Sequence, residues 1–166
     1  MTGMPPWAEA SEARRAHVER VATLIASWAD ALGVAAAERE RWVRAAYLHD
    51  ALRDSPATDR LIHGPLAADR AAAHGESDQG VLDAVRYHTV GFAGWDDVGR
   101  MLYLADFLEP GRTRSAVERA GLAQRVPTAR DAVLAAVARW RIGMILRAGW
   151  PLPRETVDFW NSIARP

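Results

Sequence analysis

A chain of 166 residues can bury one core, and 49% apolar with 25% charged residues is the profile of a globular protein, not a disordered one. Its 21 basic residues, all arginine, balance 21 acidic ones, which argues against a globally basic grip on nucleic acid. Cysteine is absent, which excludes disulfides, cysteine-ligated zinc and thiol catalysis.

No uninterrupted apolar run approaches a membrane span, and the opening "MTGMPPWAEASEARR" lacks the charged-then-apolar order of a secretion signal. The expected compartment is the cytoplasm, with no membrane partner.

The spacing predicts helices nearly throughout. The first begins with Ser11 as N-cap and ends before Gly33, carrying Val18, Val21, Leu24, Ile25, Trp28 and Leu32 on one stripe. A second runs from Ala35 to Leu52 and buries Trp42, Ala45, Ala46, His49 and Leu52. Pro65 suits the start of a third. A fourth follows Ser77 or Asp78, carries Val81, Leu82, Val85 and His88, and stops before Gly91. "DDVGRMLYLADFLEP" is helical up to Pro110, where proline ends the ladder. Thr128 caps a long helix through "RDAVLAAVARWRIGMILRAG", and "PRETVDFWNSIA" supplies the last. No strand-period run or repeat competes, and no linker divides the chain. The expectation is an all-α bundle, one domain over residues 1–166.

The apolar stripes carry polar residues that ought not to be there. His17 lies one turn before Val21, in line with Leu24 and Trp28. His49 sits in the buried stripe of the second helix, His88 extends the Val81–Val85 face, and Asp106 follows Leu102 by one turn. Helical bundles build metal centres from inward side chains of this kind, and imidazoles with carboxylates suit first-row divalent ions. The plain alternative is a core of hydrogen-bonded histidines with Asp50 and Asp106 in buried ion pairs. It needs an inward basic partner for each carboxylate, and none is obvious. Of the remaining histidines, His74 falls just before Gly75 and reads as a helix-end group or an exposed one. The seven tryptophans read as core or rim, not as a base-stacking platform.

The order His17, His49-Asp50, Asp106 resembles the HD-domain metal-dependent phosphohydrolases. More narrowly, "RAHVERV", "YLHDALRD", "HGPLAA", "VRYHTVG" and "LADFLEPGR" resemble the symmetrical bis(5'-nucleosyl)-tetraphosphatases of the YqeK type, and "GWPLPRETVDFWNSIA" is similar to that family's closing helix. Nearly the whole chain is covered. The resemblance implies an all-helical HD bundle that cuts diadenosine tetraphosphate into two ADP with a metal-activated hydroxide. It implies two divalent ions, usually iron, with manganese, cobalt or zinc as alternatives. His17, His49, Asp50 and Asp106 would hold one ion. Asp50 would bridge to the other, completed by His63 and His88. Asp50, Arg53 and Asp54 are the catalytic candidates, while Arg53, Thr89 and Arg112 are the substrate-side ones. Arg53 would neutralise developing charge and Arg112 would hold a flanking phosphate.

Two departures stand out. Arg53 replaces the family's usual lysine, a planar fork instead of a compact charge. The segment from Asp50 to His63 is also shorter than usual in the family, which bears on pocket shape and on His63. Asp54 could serve acid-base work or simply end a helix; Thr89 could be a helix-end hydroxyl and Arg112 a surface charge. Two other functions stay open: HD chemistry on another nucleotide or phosphate ester, and an inactive helical domain that binds a nucleotide or a protein.

Overall fold

In the computed structural model, residues 3–164 are described, so the outermost residues of the expected 1–166 domain lie outside the description. The described residues form seven α-helices and no strand: α1 (Glu12–Leu32), α2 (Ala36–Leu48), α3 (His63–Ala73), α4 (Gln79–Tyr87), α5 (Asp97–Leu108), α6 (Ala116–Arg147) and α7 (Arg154–Ile163).

α5 is the axis of the molecule. Val98, Met101, Leu102, Leu104, Ala105 and Leu108 are all buried, and a helix apolar around its whole circumference belongs in a core. It packs against α1, α2, α4 and α6. α1 starts where Ser11 Oγ accepts the Arg14 N–H, and it stops at Gly33, whose φ of 63° is the left-handed cap that glycine adopts without strain. Asp78 and Asp96 cap α4 and α5 in the same way. A single guanidinium joins those two caps: Arg41 donates Nε–H to Asp78 at 2.6 Å and an Nη2–H to Asp96 at 2.8 Å. The starts of α4 and α5 are therefore tied to α2, which aligns the opposite ends of these helices.

Three boundaries differ from the sequence reading. α2 ends at Leu48, not Leu52. His49 caps it, and the chain tightens into three-residue turns, with Ala51 N–H on Leu48 O and Arg53 N–H on Asp50 O. α3 opens at His63, two residues before Pro65, because the first N–H groups of a helix need no intrahelical partner and Asp59 Oδ1 accepts those of Leu61 and Ile62 just upstream. α6 begins at Ala116 and reaches past Pro127, with the break at Ala129 (φ −145°, ψ 40°). Proline has no N–H for the carbonyl of Ala123, and the indole Nε1–H of Trp28 donates to that oxygen instead at 3.1 Å. No helix among the described residues is long and apolar enough to cross a membrane.

Candidate metal centre

Five elements bring six polar side chains to one buried point. His17 comes from α1, His49 and Asp50 from the turn closing α2, His63 from the first position of α3, His88 from the cap of α4, and Asp106 from the last turn of α5; all are buried. Asp50 lies between two sets of imidazoles. Its Oδ1 is 3.1 Å from His63 Nε2 and 3.4 Å from His88 Nε2, while its Oδ2 is 3.7 Å from both His17 Nε2 and His49 Nε2. Each set closes a triad, His17/His49/Asp50 and Asp50/His63/His88, whose donor atoms lie within 4.8 Å of one another. Asp106 belongs to neither triad but places Oδ1 3.2 Å from His17 Nε2.

The second triad depends on a glycine. A Cβ on Gly64 would meet the carbonyl oxygens of Val85 and Arg86 at 2.9 Å. Its absence lets the first turn of α3 lie against the end of α4 and brings His63 Nε2 to 3.0 Å from His88 Nε2.

The imidazoles share one orientation. Nδ1 faces an oxygen in every case: Glu109 Oε1 at 3.1 Å for His17, Ala46 O at 2.7 Å for His49, Asp59 O at 3.1 Å for His63 and Val85 O at 2.8 Å for His88. An Nδ1–H donor leaves Nε2 with its lone pair turned inward. His17 Nε2 and His49 Nε2 are buried without a well-formed hydrogen bond. His63 Nε2 and His88 Nε2 oppose two lone pairs at 3.0 Å, an arrangement that calls for a proton or a cation. Converging imidazole nitrogens around a shared carboxylate fit divalent metal ions.

The electrostatics agree. Burial works against charge on Asp50, but His49, His63 and His88 outweigh it and hold the carboxyl well below its ordinary range. Asp106 is depressed likewise, with His17, Arg141 and Arg112 overcoming burial. Burial pushes His49 down to about 4, against the pull of Asp50. For His17, burial is outweighed by Asp106 and Glu109, which lift it to about 9. A metal ion at His17 therefore competes with a proton.

The basic partners absent from the sequence reading are present here. Arg14 Nη1 donates to Asp50 Oδ2 at 2.7 Å, and Arg112 and Arg141 donate to the two oxygens of Asp106 at 2.7 and 2.8 Å. Both carboxylates are thus paired, while His49 Nε2 stays buried with no hydrogen-bond partner. Arg14 had a readable signal, lying three residues before His17 on the same helix. Glu109, fully buried, also had one inside "LADFLEPGR": it accepts from Arg20 Nε and from the Gly111 N–H, both at 2.6 Å, while facing His17. Arg141 lies far away on α6 and had none.

Other candidates are placed as follows. Asp54 Oδ2 accepts from the Ser11 N–H and Oγ–H at 2.9 and 2.6 Å, tying the turn after α2 to the start of α1, and its Oδ1 lies 3.6 Å from Arg14 Nε. Arg53 is half-buried in that turn, near Asp59. Thr89 Oγ1 is 3.3 Å from His88 Nε2. Arg112 is the clamp on Asp106 described above, 39% exposed along its side chain. His74 caps α3, its Nδ1 2.9 Å from Arg70 O and its ring beside Trp7.

The chain is similar to several known proteins. The chain is 37% identical over 59 residues to a symmetrical bis(5'-nucleosyl)-tetraphosphatase of Staphylococcus aureus, covering 35% of this chain and 30% of that protein. It is 27% identical over 106 residues to the protein of that name from Halalkalibacterium halodurans, covering 63% and 56%. The Bacillus subtilis protein of that name is 39% identical over 61 residues, covering 35% and 32%. The matched stretches thus span between about a third and just over half of these relatives' length. The fold is similar to that of a predicted HD superfamily hydrolase involved in NAD metabolism from Clostridium acetobutylicum, with a TM-score of 0.73 at 21% identity over 92% of this chain and 89% of that one. The HD domain pattern matches residues 14–137, from Arg14 beside the first imidazole to beyond Asp106, and the chain belongs to the HD domain family.

Proposed function

We propose that the chain is a metal-dependent phosphohydrolase, a single HD domain that cleaves diadenosine tetraphosphate symmetrically into two ADP. The observation that carries this reading is the split of Asp50, with Oδ1 toward His63 and His88 and Oδ2 toward His17 and His49. One carboxylate shared between two imidazole sets supports a site for two cations. Membership of the HD domain family supports the phosphohydrolase chemistry, and the names of the three relatives support the dinucleotide.

In this reading His17, His49, Asp50 and Asp106 hold one ion, and Asp50, His63 and His88 the other. The nitrogen-rich donor set suits iron, manganese, cobalt or zinc, with iron the proposed occupant. When bound, such ions supply Lewis-acid charge and a water acidic enough to attack near neutral pH. The chain's own residues do the rest. Glu109 and the backbone carbonyls hold every Nδ1–H, so the inward nitrogens stay aligned. Arg112 fixes Asp106 and, being partly exposed, also faces an incoming phosphate. Thr89 offers a hydroxyl beside His88, and Arg53 adds positive charge at the turn. Water adds to one of the two inner phosphorus atoms, the P–O bond linking the inner phosphates breaks, and each half leaves as ADP.

The test is product analysis of the purified protein with diadenosine tetraphosphate. ADP alone supports the reading. AMP with ATP, or no turnover by metal-loaded protein, removes it.

A further inference from the structure

Beside the metal centre a cavity of about 320 Å³ runs from Asp106 and Thr89 to the end of α6. Its two ends differ in chemistry. At the inner end stand Arg112, Arg119 and Arg141, three guanidinium groups beside the carboxylates of Asp106 and Glu109, so the charge there is positive in sum. At the outer end stand Met144, 45% exposed, and Trp150, 50% exposed, in the turn after α6. Arg60, from the segment joining α2 to α3, lies across the Trp150 ring with Cζ 4.1 Å from its centroid. These two residues are far apart in sequence and meet at the rim of this cavity.

An indole half open to solvent with a guanidinium laid over it is the pairing that stacks a planar heterocycle. A positive inner end and a planar, apolar outer end match a ligand with phosphates at one end and a base at the other. We infer that the Trp150 indole, backed by Arg60 on one face, stacks the nucleobase of one nucleotide arm on its other face, the phosphates running past Arg112 toward Thr89 and Asp106. This rests on the proposed phosphoester chemistry at the metal centre and names the groups that read the organic part of the substrate. It also assigns Trp150 a part in binding that its position beyond the last turn of α6 does not require for folding.

The experiment is calorimetric titration of the protein, as purified with its metal, against ADP and against pyrophosphate, which lacks the base. The parent should bind ADP about tenfold more tightly than pyrophosphate, the size of effect expected of one base–aromatic stack. Trp150→Ala should abolish that preference while leaving pyrophosphate affinity unchanged, Trp150→Phe should keep most of it, and Arg60→Ala should reduce it. Equal loss for both ligands in Trp150→Ala, or no preference in the parent, overturns the stack. Turnover of diadenosine tetraphosphate by the parent is scored separately. No turnover with the Trp150-dependent preference intact supports the stack and removes the dinucleotide. Turnover to ADP with the preference intact in Trp150→Ala overturns the stack and keeps the dinucleotide.

Discussion

His17 and Glu109 meet at 3.1 Å, Nδ1 against Oε1, one from α1 and the other from the cap of α5. Arg20 and the Gly111 N–H fill the second oxygen of Glu109, and with His17 they pull its carboxyl down to about 2 against the effect of burial. The carboxylate stays ionised and holds the Nδ1–H of His17, which leaves Nε2 as the atom for which a proton and a metal ion compete. Glu109→Ala should weaken metal binding by roughly 10- to 100-fold, the usual cost of losing such a support, with Glu109→Gln milder because its amide oxygen still accepts the Nδ1–H. Metal titration of the three proteins checks this. Parental affinity in Glu109→Ala would show that His17 needs no such support.

Asp50→Asn keeps the side-chain volume and removes the charge that both triads share. Hydrolysis should fall by orders of magnitude, metal content should drop, and the far-UV spectrum should stay helical. Asp54→Asn should be milder, since Asp54 acts on Ser11 and Arg14 and not on the imidazoles. His74→Ala should leave turnover intact, its ring lying against Trp7. Near-parental activity with full metal content in Asp50→Asn would end the two-cation reading.

Gly64→Ala separates the two triads. The added Cβ meets two backbone carbonyls that cannot swing aside, so α3 must move off α4 and carry His63 away from His88. The expected result is about half the metal stoichiometry with the His17 triad still loaded, and a stability loss of about 1–3 kcal/mol, typical of overpacking. Full stoichiometry with parental thermal stability would contradict it.

Stability of the metal-free protein should peak near pH 6.5. His17 is raised in the folded state from 6.5 to about 9, so its contribution is complete below 6.5 and is lost as pH climbs through about 9. His49 is lowered from 6.5 to about 4, so the unfolded chain gains its proton first and stability falls as pH drops from 6.5 toward about 4. Saturating metal displaces the His17 proton and should abolish the alkaline decline. Denaturant midpoints across this range, with and without chelator, decide the matter. A metal-free midpoint that keeps rising above pH 6.5 would refute the assignment for His17.

Much of this centre was legible because helical period exposes polar residues on apolar faces. His17, His49, His88 and Asp106 each stood out against Val, Leu or Trp neighbours, and Ser11, Gly33 and Asp78 marked true helix ends. What escaped was whatever depends on tertiary approach. The end of α2 moved because His49 spends Nδ1 on the Ala46 carbonyl and the backbone then turns tightly, a competition that apolar spacing does not encode. The first half of α6 was missed because Thr128 reads as a helix cap, and only Trp28 of α1 reveals how the chain tolerates Pro127 inside the helix. Arg141 reaches Asp106 across 35 residues of sequence, beyond any local pattern.

His49 and His88 are both the residues at which their helices stop, and Asp106 and Glu109 sit at the end of α5. Three carboxyl-terminal helix ends therefore meet at the centre, against one amino-terminal end, that of α3. Each carboxyl-terminal end presents about half a negative charge from its aligned peptide dipoles. The backbone thus makes the point between the imidazoles attractive to a cation before any side chain is counted. Exchanging ligand side chains would alter which ion is held and how tightly, but the potential that draws a cation there belongs to the arrangement of the helices.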